Sequence, residues 1–506
     1  VSGTTTGTPT TEQQIVVDTG SMRFDTLLRL AVSGGRADRI RIWLTAAGSA
    51  LATVCLSAAA SVAVSGPGDG PYTSEVLNQS GLHIGVVIAL VLLCVPVLGF
   101  VGQCSRVGAP GRDRRLAALR LQGATPTDVV RIAAAETGWS AALGAVLGLA
   151  LFFALRVALG SPVTATFDVS TVTGNSASIE TVTGPALRFP TDVLPPWPVL
   201  VAFVVVIPLA ATVFATFAMR RVVVTPFVVD RSQPPVPRRV VPVVLFVGGT
   251  VGMATFESLL RVVPDSLAAS DLVVVLFLVP LGVTLTGLLL GTTTLASLLG
   301  AFVAGRTRYP ALLLAARRMV SSPSHTSRAN STLLFVVVLA AFTQGIRENV
   351  LASTANYGTT FYADTFDLVN VAFVIGAVIA AAGLLVGTVD GVVSRRHVLA
   401  GLHAVGVPRG VIARAVLAEN LLPLVPAVVL GSAAGILAAR GVFGTSVGWS
   451  EGQPDGTYVE HVVTVAVPWA SLGELVVVVL CAAALATAAS FPVLKVSLHP
   501  AELRAR

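Results

Sequence analysis

The chain has 506 residues, 54% hydrophobic and 12% charged, with a mean hydropathy of +0.83 and a formal net charge of +7. That balance excludes a soluble globular protein of this length and describes a polytopic membrane protein. The basic excess suits loops that face anionic lipid and partners, and not nucleic acid.

The first 22 residues are polar and rich in Thr and Gly, which predicts a disordered tail; they lack the apolar core of a signal peptide. Phe24–Arg41 is basic and partly apolar and suits an interfacial elbow helix anchored by Arg29 and Arg36. Four apolar stretches follow as candidate spans: Trp43–Val64, Leu82–Phe100, Ile132–Leu155 and Trp197–Met219. Between the third and fourth, Thr164–Thr173 and Ser176–Thr183 flank Gly174-Asn175, the spacing of a two-residue β-hairpin. Val240–Phe256 and the overlong Leu272–Val303 follow as a connecting pair. A second elbow candidate, Tyr309–Arg328 with Arg317 and Arg318, precedes the short seventh stretch Thr332–Ile346. Leu368–Val389, Val411–Leu437 and Trp469–Phe491 complete the set, with a strand-like run Thr457–Val467 before the last.

The fold class expected is therefore all-α and polytopic: ten transmembrane helices as two four-helix repeats plus a connecting two-helix hairpin, with small extracellular β-hairpin caps. The implied division is a tail (1–22), a first unit (23–231), a connecting hairpin (232–308) and a second unit (309–506). With the N-terminus inside, 28 of the 33 Lys and Arg residues fall in inner segments, leaving Arg156, Arg188, Arg261, Arg347 and Arg440 outside. By the positive-inside rule both termini are cytoplasmic. Lys495 stands alone against 32 arginines, a bias of GC-rich, actinobacterial-type genomes. The four cysteines lie in or at the ends of spans and read as reduced packing residues; no metal-ligand spacing occurs.

A basic loop and the span after it occur twice, 283 positions apart. Gly123, Arg131 and Glu136 correspond to Gly406, Arg414 and Glu419. In the first copy Arg112, Arg114, Arg115, Leu116, Leu119 and Arg120 lie in a helix-favouring stretch. Gly123 suits the left-handed position after its last turn, and Thr125-Pro126 caps and starts the next helix. In the second copy Arg395, Arg396, His397, Leu399, Leu402 and His403 fill the stretch that Gly406 ends. Each unit closes on a basic span end and a proline: Arg220-Arg221 then Pro226, and Lys495 then Pro500.

Glu136 and Glu419 lie five residues past Arg131 and Arg414, deep enough to cost a few kcal/mol (roughly 2.5–3.5) unless paired, hydrated or protonated. Two readings stand: interhelical hydrogen bonding or a salt bridge near the inner interface, with the adjacent arginine as a candidate partner in each copy, or a polar gate or proton-linked site. Gly144 and Gly148, and Gly431 and Gly435, make small-xxx-small faces for close helix packing.

Leu116–Thr125 with Glu136–Gly148, and Val398–Val407 with Glu419–Gly435, resemble the FtsX/MacB-like permeases of ABC transporters. The ending Leu498-His499-Pro500-Ala501-Glu502-Leu503-Arg504 is similar to one common in that family. The resemblance implies that two separate ATPase subunits, identical or different, dock on the two short helices and carry the ATP and magnesium; no cofactor is expected in this chain itself. Lys495 follows Phe491-Pro492-Val493-Leu494, so no Walker A loop occurs and the chain is not expected to be an enzyme. Two features depart from the family. Arg115 and Val398 stand where a glutamate is usual, and there is no large extracellular domain.

The function that follows is the membrane subunit of an ABC transporter in a bacterial plasma membrane, exporting or extracting a lipophilic or amphipathic compound such as a drug, peptide or lipid. Two alternatives stay open at this point. One is an ATPase-driven transmitter acting on an extracellular cell-wall enzyme docked on the hairpin loop. The other is a proton-coupled carrier using Glu136 and Glu419.

Overall fold

The computed structural model describes residues 36–65, 70–74, 77, 83–104, 121–122, 125–173, 176–223, 240–256, 258, 272–354, 361–452 and 458–497. The expected tail, most of the first elbow (24–35), the first basic loop with Gly123, and residues 498–506 lie outside them.

The first unit comprises α1 (Arg36–Val64), α2 (His83–Cys104), α3 (Pro126–Leu159), the hairpin β1 (Val163–Thr173) and β2 (Ser176–Ala186), and α4 (Trp197–Val223). Residues 36–41, assigned from sequence to an elbow, are instead the first turns of α1, because nothing in Arg36-Ala-Asp-Arg-Ile-Arg41 interrupts the helix. Next come α5 (Val240–Ala254) and α6 (Leu272–Arg306). The second unit holds the short α7 (Pro310–Ser321), α8 (Pro323–Thr354), α9 (Phe361–Ser394), the short α10 (Arg396–Ala404), α11 (Arg409–Phe443), the hairpin β3 (Ser446–Gly452) and β4 (Tyr458–Thr464), α12 (Trp469–Ala489) and α13 (Phe491–Ser497).

Eight of these helices are long and apolar enough to cross a membrane, and Trp197–Val213 and Val240–Ala254 are shorter apolar helices. The seventh stretch, short in hydropathy, is the middle of a 32-residue helix. Polar turns at both ends continue α8 beyond the apolar part, and hydropathy alone does not register them. The last stretch breaks at Ser490, where the backbone restarts as α13 with Pro492 in its first turn.

What lets α1 and α3 pack is visible in their small residues. Thr45, Ser49, Thr53, Ser57, Ser61 and Ser65 recur every fourth position of α1 and are all buried. Three of the hydroxyls are satisfied locally, as Thr53 Oγ1 on the Ser49 carbonyl at 2.9 Å, so the row presents little bulk and little unmet polarity, the Ser57 hydroxyl being the exception. Gly144 and Gly148 of α3 meet this helix at the backbones of Ala46 and Ala50. Association in lipid has no hydrophobic drive between helices, so such close backbone approach supplies the packing energy. The second unit repeats the device at Gly435, which lies against the Val338 carbonyl and Ala341 of α8; Gly431 stays at 3.3–3.5 Å from side chains and marks no such crossing. Around α8 gathers the main apolar core, with Leu333, Leu334, Leu384, Leu424 and Val479.

The α5–α6 pair is knit by Gly249 on Thr284 and Gly287 on Phe246, and docks on α11 where Gly441 meets Met253. The two units join chiefly through α2 against α9, with α2 also touching α8.

Both β-hairpins cap the same end of the bundle. In the first, Thr173 pairs with Ser176 across Gly174-Asn175 and the register runs to Val163–Ala186. The second contains a strand the sequence did not disclose, β3, paired from Ser446–Thr464 to Gly452–Tyr458. Residues 70–74 lie as a strap on the segment after β2: Thr73 N donates to Leu187 O at 2.8 Å and Leu187 N to Pro71 O at 2.9 Å. The Tyr72 hydroxyl, fully buried, donates to Asp192 at 3.1 Å, above a small core of Val62, Leu77, Val86 and Phe189.

A side chain at position 148 would meet Ala50 Cα at 2.7 Å and Thr53 Cβ at 2.9 Å. Gly148→Leu should cost at least about 1–3 kcal/mol and lower the melting temperature in detergent. Gly248→Leu, which has nothing within 4 Å, should leave it unchanged.

Candidate functional site

At the end of the bundle opposite the hairpins, two carboxylates organise the helices. Glu136 and Glu419 each lie ten residues into their helix, about 15 Å from its start. Both are buried, 3% and 4% exposed, so each needs a counter-charge inside the protein. Neither takes it from its neighbour, since Arg131 and Arg414 are exposed on their helices. Glu136 pairs with the buried Arg41 of α1. Glu419 receives Arg318 of α7 at 3.3 Å and Arg395, just before α10, at 3.2 Å. Arg41 stands in the first turns of α1, whereas Arg318 comes from α7, the short helix that leads into α8. Burial and the adjacent Arg395 push the Arg318 guanidinium below its ordinary pKa, with Glu419 pulling the other way.

Glu419 anchors a wider polar group. Asn420 Nδ2 reaches Thr388 of α9 and Thr487 of α12, both at 3.4 Å, and Asn330 of α8 donates to the Asn420 carbonyl at 3.1 Å. At the 283-residue offset the first unit has Thr137 in place of Asn420. Thr137 donates only to its own helix, at the Ala133 carbonyl.

The second basic stretch forms α10. Its end is a full Schellman motif: Val407 N donates to Leu402 O at 3.1 Å and Gly406 N to His403 O at 3.0 Å. Gly406 has φ +101°, which a side chain disfavours. Leu399 and Ala400 face inward with Val392, Ile412 and Leu494, and Leu402 packs beside them. Arg395 is engaged by Glu419 and the Gly391 carbonyl. His403 is held between Val407 O at 3.0 Å and Arg409 Nε at 3.3 Å. Of the six residues singled out in this stretch, Arg395, Leu399, Leu402 and His403 thus work mainly within the protein, and Arg396 is half-buried. The outward face carries His397 with Val398 and Val405, the last two 62% and 88% exposed. Exposed valines beside a helix stop were the available signal for that face. Arg112, Arg114, Arg115, Leu116, Leu119 and Arg120 lie outside the described residues. The helix after them begins with a capping box between Thr125 and Asp128, with Pro126 at its first position.

Toward the hairpin end, an apolar cavity of about 310 Å³ opens where the units meet. It is lined by Gly85–Pro96 positions of α2 (Ile88, Leu92, Pro96), by Phe335, Leu339 and Phe342 of α8, and by Phe373 and Gly376 of α9. Below it the same helices close: Gly99 lies on Thr332 and Gly383 on Phe100. Among the described residues no group of His, Cys, Asp and Glu could hold a metal ion.

Arg41→Ala should destabilise the chain by about 3–5 kcal/mol by leaving Glu136 buried and uncompensated. Arg41→Met with Glu136→Leu should recover most of that loss in thermal unfolding. Additive losses would contradict the pairing.

Comparison with known proteins gives one family match: residues 85–224, from α2 through α4, match the FtsX-like permease C-terminal family. No curated protein and no solved structure matches the chain. The matched region holds the basic loop, Glu136 and the α3 glycines. Residues 85–224 therefore carry an FtsX-like permease C-terminal domain, the mark of a family of ABC transporter permeases.

Proposed function

We propose that this chain is the transmembrane subunit of an ABC exporter or extractor for a lipophilic or amphipathic compound, worked by two separate ATPase subunits. The cavity between α2, α8 and α9 carries this reading, because an apolar space at the junction of two units is where relative motion changes volume. The ten apolar helices are taken as two four-helix repeats flanking the α5–α6 hairpin. The packing of α2 on α9, the second spans of the two repeats, supports that division. In this reading the termini and α10 are cytoplasmic and the hairpins extracellular, an orientation that the arginine distribution supports.

The ATPase subunits press on α10 through His397, Val398 and Val405, and on the corresponding first loop around Arg112–Arg120. Force on α10 passes at once through Arg395 to Glu419, which also holds α7, so α7, α10 and α11 move as one body. The gap between α2 and the α8–α9 pair then narrows from its sealed inner end outward, and its contents leave toward the outer surface. The carboxylates act as fixed ties in this scheme, each already matched by arginine, and no observation favours using them as carrier sites.

Val398→Asp together with Val405→Asp should abolish co-purification of the ATPase subunits in mild detergent, while the chain still reaches the membrane. Unchanged recovery of ATPase would remove α10 from the docking surface. Loss of an outer enzyme's response with intact efflux, on deleting residues 163–186, would instead favour the transmitter reading.

A further inference from the structure

We propose that the cavity takes the alkyl chain of an anionic amphiphile and that Arg347 receives its head group; this rests on the cavity being the ligand site. The lining supplies almost nothing to hydrogen-bond. Its one hydroxyl, Thr343, is already bonded to the Leu339 carbonyl at 3.0 Å. What fills the space is therefore hydrocarbon. At about 310 Å³ it lies at the small end of the roughly 300–1,000 Å³ typical of ligand pockets, enough for one limb of an amphiphile.

The charge at its hairpin end is specific. Thr343 lines the cavity, and Arg347 stands one helical turn beyond it on α8. Its side chain is 24% exposed, and its Nε–H is buried with no acceptor. A buried guanidinium N–H left unmet is uncommon and costly, and an incoming oxyanion would satisfy it. Nη1 holds Glu348 at 3.1 Å, but adjacent residues on a helix do not face each other, so this pair leaves the Nε side of the fork unengaged.

The neighbouring groups are compatible with an anion. Gln344 of α8 donates to Asn370 of α9 at 2.7 Å and closes the seam between those helices. Asp364 and Asp367 of α9 are exposed, while Thr365 and Tyr362, which continue the cavity-lining face of α9 toward the hairpin end, are uncharged. Gly85 and Ile88 stand exposed at the rim, which gives lateral entry from lipid. An amphiphile entering there keeps the orientation it has in the leaflet, head at the hairpin surface and chain inward.

The test uses the full chain alone in zwitterionic nanodiscs, with a diazirine-bearing alkyl carboxylate and the alcohol of the same chain. The carboxylate should label α2, α8 and α9 about tenfold more than the alcohol, the ratio one charge-assisted hydrogen bond supplies. Arg347→Ala should bring carboxylate labelling down to the alcohol's level while alcohol labelling persists, which shows the cavity intact; Arg347→Lys should keep part of the preference. Gly376→Phe should remove both signals. Displacement by an unlabelled alkyl carboxylate or alkyl phosphate supports the site and identifies the head group. Equal labelling by acid and alcohol, or an unchanged preference in Arg347→Ala, overturns it. Because no ATPase is present, that failure would leave the docking result at α10 untouched.

Discussion

A carboxylate inside a membrane protein must carry its counter-ion with it, and much of the inner end of this molecule follows from that demand. Glu136 and Glu419 occupy equivalent places on α3 and α11, and each draws an arginine from the segment that begins its unit. Breaking such a pair costs far more than the pair itself contributes, since the remaining charge has no solvent. The ion pairs therefore fix geometry more than they add stability. They hold the start of α1, and separately α7 with the root of α10, at a set depth on the helix that also carries the packing glycines.

The two ends of the bundle are built by opposite rules. Within each unit, small residues bring backbones together at Gly144, Gly148 and Gly435, and few voids survive. Between units, α2 meets α8 and α9 with larger side chains, and the closeness of Gly99 to Thr332 and Gly383 to Phe100 is confined to the basic half. Toward the hairpins the same helices line the cavity with rings (Phe335, Phe342 and Phe373) and small residues (Gly85, Ala89 and Gly376) together.

Much of this was legible in the residues. Every apolar stretch is helical, because runs of Val, Leu and Ala permit nothing else in lipid. Thr173 pairs with Ser176, the register that the spacing of the first hairpin predicted, and Gly406 takes the left-handed stop. What was not legible depended on tertiary partners. Arg41, the last residue of the stretch expected as an elbow, is a buried counter-ion, because its partner lies 95 residues away, at Glu136. The Ser/Thr ladder of α1 reads as ordinary composition until α3 lies on it. β3 was hidden because Ser446-Val-Gly-Trp-Ser-Glu-Gly452 has weak strand character, and pairing with β4 supplies what propensity lacks. Leu399 and Leu402 were read as part of the stretch that meets the ATPases, and their packing toward Ile412 and Leu494 depends on how α10 lies on the bundle.

The unequal ties of the two units bear on how force would travel. Arg41 joins Glu136 from within a long helix, so α1 and α3 are locked along a seam that is already tight. Arg318 reaches Glu419 from the short α7, and Arg395 from the turn before the short α10. A push on α10 is thus shared with α7 through one carboxylate, and Asn420 extends the hold to α9 and α12. The second unit gathers its inner elements at a single point, and α9, which forms one wall of the cavity, is among them. Motion entering at α10 has a short polar route to that wall, whereas α2 on the opposite wall belongs to a unit in which Thr137 offers no such bridge. Under the proposed function, the second unit would be the driven side of the cavity and the first the surface it closes against.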